Sequence, residues 1–177
     1  MEFHENKYLA WYIPRIHRPG PAINLHASGV ESIAPEVLQA VRGNPWRMTE
    51  EFEAALAAWL GLARQEVVHT PGATGGNLLA LLTLVRPRTR VLAEAPLYEP
   101  MLRQAERVAA VSRFERRFED EWQLPLDEIA MLLKRDTSVV MITEPHNPSG
   151  LCAPRDQVAE LAAMAGKVNA TDRKSVV

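Results

Sequence analysis

The chain has 177 residues, 47% of them apolar and 24% charged, which is enough for one soluble domain with its own core. Its net charge of −2 offers no basic surface for nucleic acid or anionic membranes, and its longest apolar stretch, residues 78–85, is too short to cross a bilayer. The single cysteine, Cys152, excludes an internal disulfide and indicates a reducing cytoplasm. We therefore expect a cytoplasmic protein without nucleic-acid or membrane partners.

The N-terminal part of the chain is interrupted by prolines and glycine between residues 14 and 21, and we assign residues 1–34 to an N-terminal arm or small-domain segment. Pro35 opens a predicted short helix through Val41. Thr49 is the predicted N-cap of a longer helix, which Gly61 ends.

From residue 66 onward, predicted strands and helices alternate. We predict strands at 66–70, 90–93, 111–115 and 138–143, and helices at 78–85, 97–109, 125–135 and 154–164. The last strand has four consecutive apolar residues, as a strand buried on both faces does. This alternation predicts parallel βαβ units, and so an α/β domain with a parallel-rich sheet and flanking helices. Ligands of such sheets bind beyond the carboxyl ends of the strands, so the loops there are the candidate sites.

The first of these loops contains Gly72, Ala73 and Thr74, between a predicted strand and a helix. Small residues let the backbone approach a ligand, and a helix N-terminus suits a phosphate. The loop matches neither a Walker P-loop nor the G-x-G-x-x-G pattern. A simple tight turn remains the alternative.

Two further loops follow the strands at 90–93 and 138–143. Tyr98 in the first can lay its ring against a flat cofactor, or can merely pack. Asn147 in the second can hydrogen-bond a phenolic oxygen, although a loop rich in proline and glycine is often only a turn. We expect His146 to be structural or solvent-facing rather than a base.

Taken together, three segments resemble the large domain of fold type I, pyridoxal 5'-phosphate (PLP) dependent enzymes of the class I/II, aspartate aminotransferase-like group. They are Gly72-Ala73-Thr74, Pro96-Leu97-Tyr98 and Asn147-Pro148-Ser149-Gly150, and the resemblance covers about residues 30–165. It implies that residues 35–171 are the first part of the PLP-binding large domain.

The resemblance also implies roles for single residues. Gly72 allows the turn, Ala73 and Thr74 hold the cofactor phosphate, Tyr98 stacks on the ring, and Asn147 bonds the ring oxygen. Such a role set implies PLP as the cofactor.

Three other features come from the same resemblance. Gly29 falls where these enzymes bring the backbone near the substrate carboxylate, although a plain turn is the alternative. The Asn147–Pro148 bond is expected to be cis. Glu144 departs from the asparagine often seen before the third motif.

By this resemblance, the parent protein transfers an amino group between an amino acid and a 2-oxo acid, and is a homodimer. The alternatives are a C–S lyase or a decarboxylase of the same fold, or a non-catalytic PLP-binding or regulatory domain. A regulator is disfavoured because no DNA-binding helix-turn-helix or basic patch is evident.

The family's cofactor-binding lysine, the acid facing the pyridine nitrogen, and the arginine for the substrate carboxylate have no counterpart here. None of the four lysines stands in a matching context, so we name no catalytic residue. Residues 172–177 resemble a translated sequencing adapter, so we expect a non-native tail on a truncated, inactive fragment. An incomplete sheet exposes apolar surface, so we also expect aggregation.

Overall fold

The computed structural model describes residues 6–16, 34–40, 45–168 and 171–175, with side chains described at 6–15, 34–37 and 47–168. Its helices are α1 (Lys7–Ile16), α2 (Pro35–Ala40), α3 (Pro45–Leu60), α4 (Gly72–Leu84), α5 (Glu99–Val108), α6 (Leu126–Leu132) and α7 (Arg155–Lys167). The strands are β1 (Arg90–Ala95), β2 (Ala110–Glu115), β3 (Thr137–Thr143) and β4 (Thr171–Ser175). Short 3₁₀ helices cover Arg64–Glu66 and Phe118–Asp120.

The four strands form one sheet in the order β2-β1-β3-β4, and every neighbouring pair is parallel. In the centre of the sheet, Val91 of β1 pairs with Val139 of β3. The chain leaves β1 for β2 on one side and later returns to β3 on the other side of β1. The direction in which successive strands are added to the sheet therefore reverses between β1 and β3. Ligands of open α/β sheets bind in the crevice beyond the carboxyl ends of the strands at such a reversal.

The sheet is covered on both faces, because successive side chains of a strand point to opposite sides. One core cluster contains Leu92 of β1 and Val140 of β3, packed with Leu161 of α7. The other contains Val91 and Val139 of the same strands, packed with α4 and α5. All seven residues of β3 are buried, which confirms the prediction of a strand buried on both faces.

The described residues form two compact units. One comprises the residues up to Ile13 and those from Pro71 onward, and it contains the sheet. The other comprises the residues between Pro14 and Thr70, where the Glu53 carboxylate accepts hydrogen bonds from the Arg64 side chain and from the His69 backbone N–H. The division predicted at residues 34 and 35 stays a prediction.

The predicted strands at 90–93, 111–115 and 138–143 are confirmed, each within two residues at its ends. The α/β class with a parallel sheet and flanking helices is confirmed as well. Gly61 ends α3 as predicted, with a φ of +69° that favours glycine.

Other predicted boundaries were wrong. Residues 66–70 form no strand: a 3₁₀ helix ends at Glu66, and the extended residues after it pair with no described strand. Helix α3 begins at Pro45, before the predicted N-cap Thr49, because proline is well tolerated in the first turn of a helix. Helix α6 ends at Leu132, since Leu133 is extended with a ψ of 120°.

Strand β4 pairs with β3 from Thr171, opposite Val139, to Ser175, opposite Thr143. It overlaps residues 172–177, whose non-native origin stays a prediction. Within the part of the chain that is described, no helix is both long enough and apolar enough to span a bilayer.

Candidate functional site

The first loop lies at the start of α4. Helix α4 begins at Gly72, whose φ of +69° is a conformation that side chains disfavour, while the space around its α-carbon is open. The N-cap residue, Pro71, makes no side-chain hydrogen bond to the first turn. The backbone of Ala73 and the hydroxyl of Thr74 are therefore exposed beside the positive end of a thirteen-residue helix, which suits an anion.

This loop is attached to the next motif through α5. The side-chain amide of Gln104 donates to the carbonyl oxygen of Thr74 at 2.9 Å. Gln104 belongs to the helix whose N-cap residue is Tyr98. The first turn of α4 and the loop after β1 are thus fixed to the same helix.

The second loop carries Tyr98, which is half-buried. Its ring meets the ring of Tyr8 edge to face, with 5.3 Å between the centroids, and Tyr8 stacks on Tyr12 at 5.5 Å. Burial raises the pKa of the Tyr98 phenol, and the neighbouring Tyr8 and Tyr12 add to this effect. Tyr98 therefore stays a neutral aromatic surface at physiological pH.

The N-terminal helix is held against this loop by a second contact. The backbone N–H of Tyr8 donates to the Glu99 carboxylate at 2.6 Å. This hydrogen bond is the main reason why the pKa of Glu99 is lowered.

The third loop follows β3 and exposes Asn147. It is closed by hydrogen bonds from the N–H of Gly150 to the carbonyl of His146, at 2.7 Å, and from the N–H of His146 to the carbonyl of Leu151, at 2.8 Å. The predicted cis bond at Asn147–Pro148 was wrong. Among the described residues, the cis bonds are at Ala95–Pro96 and Glu144–Pro145, and Gly150 in this loop has a φ of +74°.

His146 is fully enclosed, with 1% of its surface exposed, so the expectation of a structural histidine is confirmed and that of a solvent-facing one is not. Its Nε2 atom lies 3.2 Å from the carbonyl oxygen of Pro96, and its Nδ1 atom lies 2.8 Å from the hydroxyl of Ser149. Burial, and then the charge of Arg116, lower the pKa of His146. The neutral ring therefore donates from Nε2 and accepts at Nδ1, and it ties the second loop to the third.

A buried ionic cluster lies under these loops, and it was not predicted from the sequence. Glu94 near the end of β1, Arg116 after β2 and Glu144 after β3 are 0%, 2% and 6% exposed. The Nη1 atom of Arg116 lies 3.1 Å from Glu94 and 3.6 Å from Glu144. One cation thus joins the carboxyl ends of three strands.

Each member of the cluster has further partners, as a buried charge needs. Arg116 donates from Nε to the carbonyl of Trp122 at 2.6 Å. The Glu144 carboxylate accepts the backbone N–H of Ala153 at 3.1 Å. Burial raises the pKa of Glu94, while the N–H and O–H of Thr143 and the guanidinium of Arg116 oppose that rise.

A sequence signal for this cluster does exist. Glu94 stands two residues after Leu92, and Arg116 two residues after Phe114, so the alternation of each strand turns both charges toward the core. Glu94 in β1 and Arg116 just after the adjacent strand β2 have opposite charges, as a buried ion pair requires.

The predicted site residues have different outcomes. Five of them lie on loops or helix starts that are connected by hydrogen bonds: Gly72, Ala73, Thr74, Tyr98 and Asn147. Tyr98 and Asn147 lie on the loops at the crevice between β1 and β3. Gly29 lies outside the described residues. Among the described residues, no group of three or more His, Cys, Asp or Glu side chains can hold a metal ion.

Comparisons with known proteins agree with this geometry. The family model described as "Aminotransferase class I and II" matches residues 40–171. A histidinol-phosphate aminotransferase from Haloferax volcanii is 29% identical over 148 residues, which are 82% of this chain and 38% of that protein. The chain thus spans well under half the length of this curated relative.

Two solved structures share the fold. A PLP-dependent aminotransferase from Streptococcus suis is 25% identical with a TM-score of 0.67, covering 78% of this chain and 38% of its own. An aspartate aminotransferase from Thermotoga maritima is 22% identical with a TM-score of 0.69, covering 94% of this chain and 48% of its own. The sheet is that of fold type I enzymes, and the chain belongs to the class I and II aminotransferase family.

Proposed function

We propose that the protein to which this chain belongs is a PLP-dependent aminotransferase, and that this chain holds part of the cofactor site. The observation that most strongly supports this proposal is the hydrogen bond of His146 to the carbonyl of Pro96, because it joins two motif loops at the crevice where the strand order reverses. The first turn of α4, where Ala73 and Thr74 are exposed at the positive end of the helix, offers an anion site.

The donor set fits PLP part by part. The backbone of Ala73 and the hydroxyl of Thr74 hold the phosphate, and the positive φ of Gly72 brings the chain to it. Tyr98 offers a neutral ring as a stacking surface for the pyridine. The exposed side-chain amide of Asn147 donates to the ring oxygen. When bound, PLP supplies an electron sink for reactions at the α-carbon of an amino acid.

The substrates we propose are an amino acid and a 2-oxo acid, and the proposed assembly is a homodimer. The match to the family and the aminotransferase activity named for the relative support both the substrate class and the reaction. A cytoplasmic location is also proposed, supported by the single exposed cysteine, Cys152.

The test uses the protein expressed from its complete reading frame and loaded with PLP. Amino acids are added one at a time and the cofactor absorbance is followed, after which a 2-oxo acid is added. We expect one class of amino acid to change the absorbance and a 2-oxo acid to restore it. Release of carbon dioxide or of a thiol with no restoration would instead assign a decarboxylase or a C–S lyase. No response to any amino acid would indicate a non-catalytic domain.

A further inference from the structure

The hydroxyl of Thr143 connects the buried ionic cluster to the third motif loop. Thr143 is the last residue of β3 and is completely buried. Its Oγ1 atom lies 2.5 Å from Oε1 of Glu94 and 3.0 Å from the backbone nitrogen of Asn147. A single oxygen atom therefore contacts both a buried carboxylate and the residue whose side chain we assign to the cofactor ring.

The direction of these hydrogen bonds is fixed by their partners. The groups facing Glu94 are donors: the N–H of Thr143 at 2.6 Å, its hydroxyl, and the guanidinium of Arg116 at 3.1 Å. The Thr143 hydroxyl therefore gives its proton to Glu94. Its lone pairs then point away from the carboxylate and accept a hydrogen bond from the backbone N–H of Asn147, which can act only as a donor.

The anchor of this chain of hydrogen bonds is rigid. Glu94 lies in β1, and its second oxygen is held by Arg116, whose own backbone N–H donates to the carbonyl of Ala95 at 2.8 Å. These hydrogen bonds thus hold the Asn147 backbone in place against the central strands of the sheet, and its position does not depend on the exposed loop around it alone. A residue with such a fixed backbone loses less conformational entropy when it contacts the cofactor.

We propose that Thr143 is a positioning residue, which fixes Asn147 through the relay from Glu94 to Thr143 to Asn147 and thereby strengthens cofactor binding. The effect on the cofactor rests on the proposed function, whereas the effect on Asn147 does not. No part of the proposal requires Thr143 to touch the cofactor.

The test replaces the hydroxyl and nothing else, in the protein expressed from its complete reading frame. Thr143→Val and Thr143→Ala remove it, and Thr143→Ser keeps it. The matched control is Thr137→Val, since Thr137 is also buried in β3, but its hydroxyl accepts the N–H of Lys134 at the opposite end of the strand. Two quantities are measured: hydrogen exchange of the Asn147 backbone amide without cofactor, and the equilibrium dissociation constant for PLP.

For Thr143→Val and Thr143→Ala we expect both quantities to rise about five- to tenfold, the usual effect of one lost hydrogen bond. Thr143→Ser should restore both to within about twofold, and Thr137→Val should change neither. Unchanged Asn147 exchange in both hydroxyl-free variants overturns the relay. Faster exchange with an unchanged PLP dissociation constant overturns its role toward the cofactor. Failure of the unaltered protein to bind PLP overturns the proposed function, while the exchange result still decides the relay.

Discussion

The Nε2 atom of His146 donates to the carbonyl oxygen of Pro96 across a gap of fifty residues in the sequence, at 3.2 Å. The ring is buried and its centroid lies 5.4 Å from that of Trp122. Ser149 occupies the Nδ1 side at 2.8 Å. The imidazole can keep both hydrogen bonds as they are only while it is neutral, because a second ring proton would face the Ser149 hydroxyl as a donor.

Stability is therefore expected to depend on pH through His146. Its pKa is lowered in the folded protein by burial and by Arg116, so the folded state disfavours the added proton. The stabilisation is complete above the ordinary pKa of about 6.5 and is lost as the pH falls through the lowered value. We predict that His146→Gln costs more unfolding free energy at about pH 7.5 than at about pH 5. Chemical denaturation at both pH values measures this, and an equal cost at both would contradict it.

Arg116 should be the most costly charge to remove. Without it, two buried carboxylates, Glu94 and Glu144, face each other with no cation between them. We expect Arg116→Met to lower the free energy of unfolding by about 3–5 kcal/mol. The neighbouring Arg117 pairs with Glu115 on the surface at 3.5 Å, so Arg117→Met should cost less than about 1 kcal/mol. Urea unfolding of both variants decides this, and similar losses would show that the cluster is not a stabilising unit.

Two of the strands predicted from the sequence show where that reasoning succeeded and where it failed. Strand β3 was predicted because four consecutive apolar residues in a short segment are typical of a strand buried on both faces. The segment 66–70 also reads as a strand from its two valines. In the structure Val67 is buried but Val68 is 74% exposed, because strand propensity without a pairing strand does not make a sheet.

The site divides in the same way. The loops of Thr74, Tyr98 and Asn147 were predicted from local motifs. The positions of the Tyr98 and Asn147 loops at strand ends follow from the parallel sheet, whereas no described strand directly precedes the loop of Thr74. The hydrogen bonds that connect these loops were not predicted, since the partners of His146 and Glu94 are about fifty residues away in sequence. Only the register of β1 against β3 brings such partners together.

Thr74 should matter to cofactor affinity through its hydroxyl alone. We expect Thr74→Ala to raise the PLP dissociation constant about tenfold or more, because a hydrogen bond to a charged phosphate is lost. Thr83 is the control, as its exposed hydroxyl on the same helix bonds the carbonyl of Leu79 at 2.8 Å. Fluorescence titration with PLP compares Thr74→Ala with Thr83→Ala. Equal affinities would remove Thr74 from the phosphate site.

The outer face of α4 should drive self-association of the 177-residue chain. Leu79 and Leu82 are 51% and 60% exposed on this helix. We expect replacing both with lysine to reduce the aggregated fraction severalfold. Replacing Ala130 and Ala159, exposed on α6 and α7, with lysine adds the same charge without removing that surface. Light scattering at matched concentration distinguishes the two pairs, and equal benefit would make net charge, not the leucine surface, the cause.

The placement of the cofactor is tested most directly by a crystal structure of the protein, from its complete reading frame, with PLP bound. We predict that the phosphate lies within hydrogen-bonding distance of the Ala73 backbone and the Thr74 hydroxyl, that the ring lies on Tyr98, and that the Asn147 side-chain amide contacts the ring oxygen. PLP bound at any other place, or with its phosphate away from the start of α4, would contradict it.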